Sequence, residues 1–178
     1  MNAASNDMLN DPQNGPADAA LDDRDALYLR RAIELSAQAG HGGNRPFGAV
    51  ILSEGGELLA EGWNDTLSGG DCTGHAEVNA LRSAAPKHPR EALTGATMYA
   101  SGEPCVMCAG AIFWSGIRRV VFGLDAVRLR SFRQMHVGAG DLEMSCREVF
   151  ATSPQAFEVI GPALAAEATV PHAAFWSR

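Results

Sequence analysis

His75-Ala76-Glu77 and Pro104-Cys105-Val106-Met107-Cys108 bring one imidazole, two thiols and a carboxylate into a chain of 178 residues. Imidazole nitrogen and thiolate sulfur are preferred ligands of zinc, and a set of three leaves one coordination position open. Cys105 and Cys108 stand three apart, so at a helix start both sulfurs leave one face and reach a single ion. Pro104 suits such a start, and the electropositive end of a helix favours thiolate over thiol. Glu77 is not needed as a ligand. An ion with an open position makes water acidic near neutral pH, and a carboxylate beside it is placed to take up and return protons. The chemistry these residue types predict is metal-assisted hydrolysis.

The competing reading is a structural zinc site, which normally closes with a fourth protein ligand. Cys72, three residues before His75, is the candidate for that position. Glu77 separates the two readings, because a closed structural site gives it no task. Cys146 reads as a small buried hydrophobe in a strand.

The elements that must hold these groups follow from periodicity. Leu27, Leu29, Ile33, Leu35 and Ala39 recur at near-helical spacing from Asp25 until Gly40. Phe47 to Leu52 reads as a strand, Glu54-Gly-Gly-Glu as a turn, and Leu58 to Trp63 as the hairpin partner. The first metal motif opens a helix over 75–84 and the second a helix over 105–115. Strands are expected at 96–100 and 119–123, the latter buried on both faces. Beyond Asp125 the pattern is weaker, with strands expected at 146–150 and 156–160 and a helix over 161–176 broken or ended near Pro171. Strands alternating with helices make an α/β sandwich with the two metal helices side by side on one face. Residues 1–24, rich in Asn, Asp, Ala, Pro and Gly, read as a disordered tail, and 25–178 as one domain.

Bulk properties narrow the function classes. Hydrophobic residues make up 46% of the sequence, which suits a globular domain of this length. There is no apolar run near 18 residues and no basic, hydrophobic leader in Met1 to Leu21, so neither a membrane span nor a signal peptide is expected. Four cysteines, two of them in the metal motif, fit a reducing cytoplasm rather than a disulfide framework. Net charge is −7, with 14 Lys+Arg against 21 Asp+Glu. Only Lys87 is a lysine, and Val149 to Ser177 contains no Lys or Arg. A protein that grips phosphate backbones needs a basic surface, so a small heterocycle is the expected partner rather than a nucleic acid. The densest cationic cluster is Arg128, Arg130 and Arg133.

The two metal motifs, together with Pro-Phe-Gly-Ala-Val-Ile, Glu-Gly-Trp-Asn and Arg-Arg-Val-Val-Phe-Gly, resemble the cytidine-deaminase-like zinc deaminases. The similarity runs from about Arg45 to Gly123 and is nearest to the branch of guanine deaminases, transfer-RNA adenosine deaminases and fungal cytosine deaminase. The resemblance implies a three-layer α/β/α sandwich around a mixed five-stranded sheet. It also implies that His75, Cys105 and Cys108 hold zinc, and that Glu77 shuttles protons in a hydrolytic deamination that converts an amino-bearing ring carbon to a carbonyl and releases ammonia. Asn64 would hydrogen-bond the base, with Ala76, Phe47 and Trp176 as further substrate contacts. Phe175 and Trp176 would form a lid, and the family commonly forms homodimers. A guanine-like aminopurine is the first substrate expected, cytosine-like pyrimidines and aminotriazines the next, and transfer RNA the third. The non-enzyme alternative is a zinc-stabilised scaffold. Two departures stand out: Cys72 and Gly74 where the family has Pro and Ala, and Val127 to His136 where guanine deaminases carry an acidic Gly-Phe-Asp-Asp segment. Trp114 reads as core or subunit interface first and as a pocket wall second.

Overall fold

The computed structural model describes residues 21–134 and 142–177. The tail reading over 1–24 falls mostly outside them. Its last residues belong instead to the first helix, α1 (Asp23–His41), whose N-cap Asp22 accepts the Asp25 N–H at 2.7 Å.

Five strands follow: β1 (Gly48–Leu52), β2 (Leu58–Trp63), β3 (Thr97–Gly102), β4 (Arg119–Leu124) and β5 (Glu158–Ile160). They form one sheet in the order β2-β1-β3-β4-β5. β1 is antiparallel to β2 and β3, whereas β3, β4 and β5 run parallel, so the sheet is mixed. β1 is buried throughout, and the pleat divides it. Ala49 and Ile51 face a core that includes α3 (Ala76–Ala84), α4 (Val106–Ser115) and α6 (Cys146–Ala151). Val50 and Leu52 face α1, together with Leu129 of α5 (Ala126–Gln134) and Ala168 of α7 (Ala165–Trp176). Helices therefore cover both faces, which gives the expected three layers.

Glycine lets two of these helices approach the sheet. A Cβ on Gly48 would overlap the backbone of α1 at Ala32 and Ser36, and one on Gly62 would overlap Ala76 and Ala80 of α3. α1 is further tied to the sheet through Asp25. Its carboxylate, 2% exposed, accepts from Tyr99 Oη at 2.8 Å and from both terminal nitrogens of Arg119 at 2.7 and 2.8 Å.

The second half differs from the sequence expectation. Residues 146–151 are helical, not a strand, because Ser145 and Glu148 close a reciprocal capping box: Glu148 N–H donates to Ser145 Oγ at 3.2 Å, and Ser145 N–H to Glu148 Oε2 at 2.6 Å. Cys146 is buried as expected, but on a helix. The C-terminal helix starts at Ala165 and runs through Pro171 to Trp176 without a break. Two helices had no counterpart in the sequence reading: α5, and the short α2 (Thr66–Gly69), whose Leu67 and Ser68 N–H groups donate to Asn44 Oδ1. Among the described residues no helix is long and apolar enough to cross a membrane.

Candidate active site and metal centre

His75 is the N-cap of α3 and Cys105 the N-cap of α4, so both metal motifs sit at helix starts. His75 Nδ1 lies 3.6 Å from Cys105 Sγ and 3.5 Å from Cys108 Sγ, and the two sulfurs are 3.7 Å apart. A tetrahedral zinc with Zn–S near 2.3 Å and Zn–N near 2.05 Å would set S···S at about 3.8 Å and S···N at about 3.6 Å. The three ligand atoms thus already stand at the edges of a zinc tetrahedron. Among the described residues this is the one group of three metal-binding side chains so gathered, and Cys72 and Glu77 are outside it. Among the described residues no fourth His, Cys, Asp or Glu joins the group, so the ligand that a closed site would need is not gathered there.

Electrostatics favour a cation here. Hydrogen bonding from Cys108, helped by His75, draws the Cys105 thiol down to about 4 against its burial. The hydrogen bond with Cys105, and then burial, push Cys108 up. A divalent ion would bind both sulfurs as thiolates, so its binding releases protons. Glu77 is 6% exposed, with Oε2 3.5 Å from Cys108 Sγ. Burial, reinforced by the Cys105 sulfur, pushes its carboxyl up to about 7.

These groups open into a cavity of about 310 Å³ that Phe47 and Asn64 also line. Asn64 is 2% exposed; its Oδ1 accepts from Thr66 N–H at 3.3 Å and from Thr66 Oγ at 3.0 Å, which leaves its amide nitrogen as the group offered to a ligand. Phe47 packs edge-on against His172 of α7, with ring centres 5.0 Å apart. Ala76 is buried beneath α3 against Gly62 and is not among the residues lining the cavity. Trp176 is not among them either: it stacks edge-on against Phe175, which borders a separate cavity between α1 and α7. Trp114 is 74% exposed, so the core reading of that residue is overturned. His88 Nε2 meets the Leu59 carbonyl at 3.1 Å, His41 is exposed, and His136 lies outside the described residues.

Several cavity residues had no counterpart in the sequence reading. Glu103, just before Pro104, accepts the Ala126 N–H at 2.8 Å and the Cys146 N–H at 3.0 Å, and so fastens the starts of α5 and α6 to the metal site. Ala126, Leu129, Arg130 and Arg133 line the cavity from α5. Their spacing i, i+3, i+4, i+7 is one helix face, a signal present in the sequence. Arg45 joins them from the loop before β1. Asn79, in the first metal motif, donates to the Trp63 carbonyl at 2.9 Å and to Asp65 Oδ1 at 2.8 Å, locking α3 to the end of β2.

Comparison with known proteins agrees with this geometry. Residues 22–124 match the family model described as the cytidine and deoxycytidylate deaminase zinc-binding region. A probable cytosine deaminase of Schizosaccharomyces pombe is 39% identical over 156 residues, which cover 88% of this chain and 94% of the relative. The guanine deaminase of Bacillus subtilis is 41% identical over 101 residues, 55% of this chain and 63% of that one. A solved structure from a study of A-to-I editing by tRNA:A34 deaminases at the wobble position of transfer RNA superposes with a TM-score of 0.64 at 28% identity, covering 82% of this chain and 99% of that one. With the ligand triad, the mixed sheet and these relatives in agreement, the chain belongs to the cytidine and deoxycytidylate deaminase family of zinc-dependent hydrolases.

Proposed function

We propose that the protein deaminates a small amino-substituted heterocycle of nucleobase size, with a cytosine-type pyrimidine as the first candidate. The observation that carries this reading is the buried Glu77 carboxyl beside three preformed ligand atoms at a cavity that His75, Glu77 and Cys105 line. In this reading His75, Cys105 and Cys108 hold zinc, whose Lewis acidity makes water a nucleophile near neutral pH. Asn64 donates its amide N–H to a ring acceptor, and Phe47 packs against the ring. Water adds to the amino-bearing carbon, and Glu77 takes a proton from it and hands it to the adjacent ring nitrogen. Glu77 then takes the proton of the newly added hydroxyl and gives it to the departing amine, so the C–O bond becomes a carbonyl as the C–N bond breaks and ammonia leaves.

The pyrimidine preference rests on coverage. A match of 156 residues in a chain of 178 has to take in Ala126, Leu129, Arg130, Arg133, Leu142 and Met144, which line the cavity, and the relative so matched is named a probable cytosine deaminase. An aminopurine is the second reading, favoured by the Bacillus subtilis relative over a shorter span. We further read the protein as a cytoplasmic homodimer whose contact includes the exposed Trp114.

Zinc analysis and ammonia release on matched variants test the proposal. Cys105→Ala or Cys108→Ala is expected to lose the metal, about one ion per chain, together with stability, because metal binding and folding are linked. Glu77→Gln is expected to keep zinc and fold while turnover falls by about 10²–10⁴. Stoichiometric zinc in the cysteine variants, or near-normal turnover in Glu77→Gln, would remove the assigned roles.

A further inference from the structure

The cationic run Arg128-Leu-Arg130-Ser-Phe-Arg133 has no task in deaminating a neutral base. α5 places Arg130 and Arg133 on the wall of the metal cavity, and Arg45 approaches it from the loop before β1, while Arg128 stays exposed outside. Three guanidinium groups therefore line one pocket of a protein whose net charge is −7.

The carboxylates that line that pocket form no ion pair with Arg45 or Arg130. Glu103 gives both oxygens to the backbone N–H groups of Ala126 and Cys146. Glu77 lies buried against Cys108. Elsewhere Arg30, Arg31, Arg82 and Arg119 each find a carboxylate, but Arg45 and Arg130 are in no ion pair among the described residues. Guanidinium is charged at every physiological pH, and its planar fork matches carboxylate and phosphate oxygens two at a time. Like charges around one cavity repel unless an anion sits among them.

We propose that the substrate of this site is an amino-heterocycle carrying an anionic group, a ring carboxylate or a nucleotide phosphate, held by Arg45 and Arg130 with Arg133 beside them. This rests on the deaminase reading and sharpens its substrate class. Asn64 and Glu77 address the ring, and the arginines address the substituent.

The test compares ammonia release by the zinc-loaded full chain on matched pairs: cytosine with cytosine-5-carboxylate, cytidine with cytidine 5′-monophosphate, and guanine with guanosine 5′-monophosphate. One anionic member is expected to exceed its neutral partner in kcat/KM by about tenfold or more, the scale of a charge-assisted hydrogen bond, and the pair in which it does so identifies carboxylate or phosphate. Arg130→Met and Arg45→Met are each expected to reduce that preference about tenfold, mainly through KM. Arg128→Gln, which removes the same charge from the same helix outside the cavity, is expected to retain it. Zinc content and melting temperature show that each variant is folded. Turnover of neutral members as fast as anionic ones overturns the anion site and leaves deamination standing. So does a preference that survives both methionine variants, or an anticodon stem-loop RNA deaminated ahead of every small anion. No ammonia from any compound overturns both readings.

Discussion

At the residue scale the cavity is held by one buried base that has no obvious reason to be a base. His172 is 1% exposed, packed between Phe47 and Phe132 with ring centres 5.0 and 5.6 Å away, and its Nε2 has no hydrogen-bond partner among the described residues. Burial, and then the charge of Arg133, pull its pKa from 6.5 down to about 4. Between those values the unfolded chain binds a proton that the folded protein refuses, so folding stability rises with pH across this window. The contribution is fully present above about pH 6.5 and is lost as pH falls toward 4, on the order of 3 kcal/mol in all. His172→Phe is therefore expected to flatten the acid limb of a melting-temperature profile between pH 6.5 and 4.5. The metal ligands titrate in both proteins, so the difference isolates His172; parallel profiles would show that it takes no part. Such a residue was not legible in advance, since its environment is made by rings 125 and 40 positions away in the chain. His75, Cys105 and Cys108 were legible because few residue types bind zinc and helical spacing limits how they share one ion. Glu103 and Arg45 act through contacts across the chain, which spacing does not encode, whereas Arg130 shares with Ala126, Leu129 and Arg133 a helix face that spacing does encode.

At the element scale the metal site depends on how closely α3 lies on β2. Gly62 sets that distance, because any side chain there would meet the backbone of Ala76 and Ala80. Gly62→Ala is expected to cost about 1–3 kcal/mol in urea unfolding, the range for overpacking. His75 and Glu77 ride on the first turn of α3, so zinc should also bind more weakly in competition with a chelator. Unchanged zinc affinity would mean that α3 yields without moving His75. β1 and β2 could be read from the chain as two apolar runs on either side of a Gly-rich turn, and the two metal helices from their ligand motifs, with glycine marking an end at Gly116, a left-handed C-cap with φ 99°. In the second half tertiary context prevails. Residues 146–150 are apolar enough for a strand, but the Ser-Cys-Arg-Glu capping box, visible in the sequence, commits them to a helix. Pro171 did not end α7, since a proline removes a single helix hydrogen bond and Pro171 is itself buried.

At the scale of the whole molecule, the face of α3 and α4 away from the sheet exposes a large aromatic side chain. Trp114, at the end of α4, is 74% exposed beside a surface groove in which Val78, Leu81, Leu93 and Ala111 lie among Arg82, His88 and Arg90. Monomeric proteins rarely leave a large apolar patch to water, and a second copy of the same face would cover it by two-fold symmetry. Because the same helices carry His75 and Cys105 at their other ends, such a contact would also stiffen the metal site from behind. Sequence spacing placed Trp114 half a turn out of phase with Cys105 without deciding between core and interface; its exposure removes the core. Trp114→Glu is then expected to fold with near-normal stability and full zinc, since the side chain leaves little behind inside the subunit. In a dimer it buries a charge twice, and loss of a central tryptophan contact costs about 2 kcal/mol or more at each copy. Sedimentation of the zinc-loaded protein at micromolar concentration should show a dimer for the unsubstituted chain and a monomer for the variant. A monomeric unsubstituted protein, or a variant that remains dimeric, would place the subunit contact elsewhere or remove it.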